Sequence, residues 1–231
     1  MKVNVFNLII LDESGSMESI KKPSLDGLNE TLQSIRSAQE THQELQQHFV
    51  SLVSFNSDGI RLIFENVPVL GIRMLNNRDY QPNNCTPLYD AMGNSLSKLR
   101  YQLDSKEKNQ VLVTIITDGY ENASKEYTGK MIKNLVEELK ALGWVFTYIG
   151  ANQDVDAVAD SISVDNRLRF DADKRGINLA MKTEHFYRQK FYNKVSMKLF
   201  DEKVDLSTGF FDDEDNNISK NDKSKDSVIP N

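Results

Sequence analysis

The chain is poor in cysteine: among 231 residues, Cys85 is the single one. An internal disulfide is therefore impossible, and the fold has to rest on packing. Positive charge is also short, with 28 Lys and Arg against 34 Asp and Glu and a net charge of −6. Neutralising a phosphate backbone needs a basic face, so no nucleic-acid partner is expected. Long apolar runs are missing as well: none approaches the ~20 residues a membrane helix needs. The first residues, MKVNVFNLII, enter a strand at once, without the apolar stretch and cleavage site of a signal peptide. No membrane partner is expected, and a reduced, cytoplasmic setting is. There is no internal repeat.

What is there is an alternation of strand-like and helix-like segments over about 190 residues, the signature of a parallel α/β sheet. Residues 3–11 form a nearly continuous apolar strand, as expected of one buried on both faces, 110–119 form another buried strand, and 48–55 and 144–150 read as further strands. NSDG at 56–59 is turn chemistry, and the alternation of Ile60, Leu62 and Phe64 after it predicts one antiparallel strand at a sheet edge. Leu25, Leu28, Leu32 and Ile35 mark a helix beginning near Pro23, while Thr86 and Pro87 read as the N-cap and first residue of another. Further helices fall at 131–142, 154–162 and 173–192, with a last, more exposed strand at 167–170. The fold class predicted is α/β: a doubly wound, Rossmann-like, mostly parallel six-stranded sheet with one antiparallel edge strand and helices on both faces. This domain spans 1–200. Residues 201–231 hold nine acids against four lysines and read as an acidic, disordered tail. Within that tail only TGFF at 208–211 is apolar enough to dock.

In an open α/β sheet, ligands gather at the carboxyl ends of the strands. Three segments deliver oxygen groups to that edge. The first strand ends in Asp12 and runs into Ser14 and Ser16; Thr86 stands in a loop before a helix; Asp118 ends a later strand, with Gly119 behind it to let the backbone turn. Two carboxylates and three hydroxyls suit a hard divalent cation such as Mg2+, which takes six oxygens and commonly keeps several waters. Hydroxyl oxygens are neutral, so a cation held mainly by them stays electron-poor.

DESGSM, CTPLYDA and ITDG together resemble the von Willebrand factor A domain with its metal-ion-dependent adhesion site. The pattern is Asp-x-Ser-x-Ser, then a Thr, then an Asp ending a strand, met here by Asp12, Ser14, Ser16, Thr86 and Asp118. The likeness covers residues 3 to 190, and with YIGANQD at 148–154 it is nearest the small stand-alone bacterial and phage members, some linked to tellurium-resistance gene clusters. It implies that the two serines and the threonine hold Mg2+ or Mn2+ directly while the aspartates act through water. Such an ion lacks a strong anionic ligand and would take an Asp or Glu from a protein partner. The expected function is therefore metal-dependent protein binding, with no reaction catalysed. Asn83, Asn84, Tyr120 and Glu121 would form the rim that chooses the partner.

Rival readings are weaker on chemistry. A phosphatase of haloacid dehalogenase type needs a second Asp two residues after its nucleophile, where Ser14 stands, and a hydroxyl is no general acid at neutral pH. A serine hydrolase would need a Gly-x-Ser-x-Gly elbow, which ESGSM lacks. His42, His48 and His185 read as surface or boundary residues with no pairing to either serine. A third alternative leaves Ser14, Ser16 and Thr86 as helix caps, and a fourth makes any metal site purely structural. In the tail, Asp212 or Glu214 could reach a metal on its own or a neighbouring molecule, giving a monomer or weak self-association.

Overall fold

The computed structural model describes residues 2–103, 107–151, 154–207 and 209–211. A six-stranded sheet with the order β3-β2-β1-β4-β5-β6 forms its centre. Strand β1, Val3–Asp12, lies between β2, Gln46–Asn56, and β4, Asn109–Thr117, and runs parallel to both. Strands β5, Val145–Ala151, and β6, Asn166–Phe170, extend the parallel set, while β3, Gly59–Pro68, returns antiparallel along β2 at the edge. This is the mixed sheet that the hydrophobic pattern predicts.

The period of two along β1 divides the core. Val5, Ile9 and Leu11 join one apolar cluster with Leu28, Leu32 and Ile35 of helix α1, Lys21–Thr41, and with Ile177 and Phe191 of helix α5, Lys174–Lys198. Leu8 and Ile10 join a second cluster with Leu96 of α2, Leu88–Gln102, Val136 of α3, Gly129–Ala141, and Ala159 of α4, Val155–Ser161. Helices thus cover both faces. The connection from β1 goes to β2 on one side, and the chain later returns to β4 on the other. That reversal opens a crevice at the carboxyl ends of β1 and β4.

Several local expectations are corrected. A turn of 3-10 helix, Gly15–Ile20, precedes α1, which begins two residues before Pro23. Pro23 still falls in the first turn, where its missing N–H leaves no intrahelical bond unmade. Thr86 does not cap α2: the flanking residue is Pro87, and no side chain of this stretch caps the helix. The orphan donors are met from across the crevice, where Tyr89 N donates to Glu121 Oε2 at 2.9 Å and Asp90 N to Ser124 Oγ at 3.1 Å. The final helix runs on to Lys198, and Asp173 caps it by accepting from Gly176 N at 2.7 Å. His48 is fully buried at the start of β2, edge-on to Tyr192, and not at the surface. Leu206, Phe210 and Phe211 are buried against the α5 cluster. Asp212, Glu214 and the rest of 212–231 lie outside the described residues.

Candidate metal centre

At the crevice the end of β1 turns its carboxylate inward. Asp12 is completely buried, with Oδ1 accepting from Ser14 N at 2.7 Å and Oδ2 from Thr117 Oγ1 at 2.6 Å. Its carbonyl accepts from the buried Tyr80 hydroxyl at 2.8 Å. Ser14 Oγ and Ser16 Oγ are 3.1 Å apart, and Ser16 Oγ donates to Asp118 Oδ1 at 2.5 Å. Ser16 is exposed while Ser14, Thr86, Asp12 and Asp118 are buried, so the cluster opens to solvent at one point.

Thr86 is held by its backbone. Its N–H donates to Asn122 Oδ1 at 2.8 Å and its carbonyl accepts from Asn122 N at 3.1 Å. Its hydroxyl makes no hydrogen bond among the described residues, which leaves it available to a ligand. Gly119 shows how closely the oxygens converge. A Cβ placed there would meet Thr86 Oγ1 at 3.2 Å, Ser16 Oγ at 3.4 Å and Asp12 Oδ2 at 3.8 Å. Oxygens of two chain segments, Asp12 and Ser16 of one and Thr86 of the other, therefore converge beside a third segment, at the point where Gly119 adds no side chain.

The electrostatics have one direction. Burial pushes the Asp12 carboxyl up to about 6, against the lowering effect of its bonds from Thr117 and Ser14, and nearby Asp118 adds to the rise. Burial also raises Asp118, while the bond from Ser16 lowers it. Two carboxylates are thus buried close together, and among the described residues neither has an ion-pair partner. Among the described residues no group of three His, Cys, Asp or Glu side chains gathers as a metal site. The donor set here is of another kind, two carboxylates and three hydroxyls, and hard oxygens of this type suit Mg2+ or Mn2+ over softer ions. The residues present fit a hard divalent cation.

Of the four rim residues, Asn83 and Asn84 are exposed beside the serine loop, and Asn84 O accepts from Gly15 N at 3.0 Å. Tyr120 is 55% exposed, with its hydroxyl accepting from Asp154 N. Glu121 is turned away from the rim. Its Oε1 accepts from Ala123 N and Ser124 N, and its Oε2 from Tyr89 N and Ser124 Oγ, so it ties the loop to the start of α2. Both oxygens are occupied by backbone donors that an exposed loop acid would leave to water.

Three supporting residues escape a reading of the motif alone. Thr117 orients Asp12, yet in sequence it is an ordinary strand threonine. Glu13, inside the Asp-x-Ser-x-Ser motif, is buried and accepts from Arg61 at 2.7 and 2.8 Å and from Gln81 N, which locks the serine loop to β3. Tyr80 fixes the turn from beneath. The available signal was an acid at a position the motif leaves free, followed by Arg61 on the predicted hairpin.

No protein-family profile and no curated protein matches the chain. Solved structures do resemble it. Proximal thread matrix protein 1 from the mussel byssus, in a structure described as having a zinc-occupied MIDAS motif, aligns with a TM-score of 0.52 at 13% identity over 78% of this chain and 44% of its own. The SpRpn10 VWA domain aligns at 0.53 and 8% identity, covering 78% of this chain and 94% of that one. The pilus adhesin SpaC from Lactobacillus rhamnosus GG aligns at 0.55 and 12%, over 83% of this chain and 31% of the adhesin. This chain spans under half the length of the mussel protein and of the adhesin. Strand order, the antiparallel edge and helices on both faces agree with these likenesses: the chain folds as a von Willebrand factor A domain.

Proposed function

We propose that this domain binds a protein partner in a metal-dependent way and catalyses no reaction. The observation that carries the reading is the convergence of Thr86, Ser16 and Asp12 oxygens on the space beside Gly119, with Ser14 and Asp118 in hydrogen-bond contact with Ser16. Ser14, Ser16 and Thr86 would hold Mg2+ or Mn2+ directly, and Asp12 and Asp118 would orient waters and balance charge. A cation held by neutral hydroxyls supplies a strong attraction for an outside carboxylate. The chain's own part is to keep the donors pre-aligned: Thr117 and Ser14 N fix Asp12, Asn122 fixes Thr86, and Glu13 with Arg61 fixes the serine loop. Asn83, Asn84 and Tyr120 stand at the mouth where a partner would touch.

The solved relatives support this reading. One is described with zinc in its adhesion motif and another is a pilus adhesin. Against a phosphatase-like role, both Asp12 oxygens accept hydrogen bonds from the protein, and the residue two positions on is a serine paired with Ser16. No helix among the described residues is long and apolar enough to cross a membrane. The test is water-proton relaxation of the Mn2+-loaded protein with added acetate. Acetate should lower the relaxation enhancement by displacing a water from the ion, and Ser14→Ala should have no bound Mn2+ to report. An enhancement indifferent to acetate would contradict a carboxylate-seeking site.

A further inference from the structure

Helix α5 carries Lys190, Lys194 and Lys198 on successive turns, at the four-residue spacing that stacks side chains on one face. Like charges so placed repel one another. Nothing in the helix answers them: its one acid, Glu184, is buried and accepts from Arg188 Nε. Among the described residues neither Lys194 nor Lys198 has an ion-pair partner. The acids just after the helix are turned to their own loops, Asp201 accepting from Lys203 N and Asp205 from Ser207 N. The helix dipole favours cations in the last turn only, which accounts for Lys198 and not for the other two.

The chain itself comes back to this face. Leu206, Phe210 and Phe211 are buried against α5. Phe210 packs on Phe191 with ring centroids 6.0 Å apart, and its N–H donates to Asn166 Oδ1 of β6 at 3.1 Å. Phe211 stands edge-on to Tyr187 at 5.7 Å, and Lys190 Nζ lies 4.7 Å from the centre of that same ring. Lys190 and Lys194 also line a hollow of about 230 Å3 together with Leu206, Gly209 and Phe210. The four residues that follow Phe211 are Asp212, Asp213, Glu214 and Asp215. At ~3.3–3.6 Å per residue, this run starts one ring away from Lys190 and ends no more than about 14 Å from Phe211. The helix from Lys190 to Lys198 is about 12 Å long. Four carboxylates are therefore tethered beside three lysines of matching span, at the effective concentration that a short linker gives.

We propose that the chain's own acidic run, residues 212–215, docks on Lys190, Lys194 and Lys198 and clips the last helix. The clip needs no metal and stands apart from the proposed binding site. It covers the basic face of α5, and it holds these carboxylates away from an ion that would attract them. An acidic partner then meets the metal centre and not the lysines.

The test compares the 15N-labelled full chain with a variant in which the run is neutral: Asp212→Asn, Asp213→Asn, Glu214→Gln and Asp215→Asn. At low salt and without metal, the change should move the amide signals of 190–198. Hydrogen exchange there should become about fivefold faster, as expected when a few exposed pairs of modest strength are lost together. In about 0.5 M NaCl, where such pairs are screened, the two proteins should match. Lys190→Glu with Lys194→Glu should speed exchange in the same way, and adding Asp213→Lys with Glu214→Lys should restore it. Signals and exchange at 190–198 that are the same in wild type and neutral variant at low salt would overturn the clip. So would an effect that grows with protein concentration, which puts the run on a second copy. Shifts at Ser14 and Thr86 in Mg2+ in place of shifts in α5 would overturn it too, by putting the run at the metal.

Discussion

At Asp12 a carboxylate is held fully buried and is pushed up to about 6, with burial as the main cause. A folded-state value above the unfolded one means that the folded protein holds this proton more tightly. The group's contribution to stability is therefore complete below about pH 4 and is lost as pH rises through about 6. At pH 7.5 the ionised group is a penalty on the order of 3 kcal/mol. Asp12→Asn should remove it. The amide can still accept from Ser14 N, and Thr117 can turn its hydroxyl proton to Gly119 O, 3.2 Å away. The metal-free variant should melt higher than the wild type at pH 7.5 and gain nothing from Mg2+. A lower midpoint in EDTA would contradict this. Thr117 touches no converging hydroxyl, so its role is to aim Asp12, and Thr117→Val should weaken Mg2+ about tenfold with little change in fold, measured by calorimetric titration. His48 runs the other way: burial first, then His42 and Arg188, lower it to about 3. The unfolded chain takes up that proton near pH 6.5, so stability falls as pH drops from 6.5 toward 3. Both ring nitrogens lack partners among the described residues, so His48→Leu should move the acid unfolding midpoint to lower pH.

Among the elements, α5 is fastened to the sheet by a buried polar network. Arg188 is fully buried, donates from Nε to Glu184 Oε1 at 2.6 Å, and reaches Asn7 Oδ1 of β1 at 3.0 Å and Thr114 Oγ1 of β4 at 2.7 Å. Removing one partner of such a pair strands the other charge in the core, so Arg188→Ala should cost about 3–5 kcal/mol. Replacing both, as Arg188→Met with Glu184→Leu, should cost far less, and denaturant unfolding of the two variants would separate the cases. Neither residue is legible as buried in the sequence, because a helix with Glu and Arg four apart normally reads as a solvated face. Helix α2 teaches the same lesson. Thr86-Pro87 has the composition of a helix start, but the donors of the first turn are met by Glu121 and Ser124, 32 and 34 residues further along. Local signals cannot reveal a cap supplied from another loop. The strands were legible because nearly continuous apolar runs such as NLIIL admit few alternatives.

For the molecule as a whole, sheet order and site are one fact. The chain reverses direction across β1, which opens the crevice between β1 and β4, and each neighbouring segment ends there in an oxygen-bearing residue. The five motif positions, Asp12, Ser14, Ser16, Thr86 and Asp118, could be named from sequence because each stands at the end of a legible element. The supports, Thr117, Tyr80 and Glu13 with Arg61, depend on tertiary approach and could not. The central claim is that these oxygens bind a divalent cation, and the most direct test is thermal unfolding at neutral pH with Mg2+, with Mn2+ and with EDTA. It is run on the wild type and on Ser14→Ala/Ser16→Ala. A cation at ten times its dissociation constant should add about 1.4 kcal/mol to the native state and raise the wild-type midpoint measurably, while the variant shows no rise. An unchanged wild-type midpoint at millimolar metal, or an equal rise in the variant, would contradict the account.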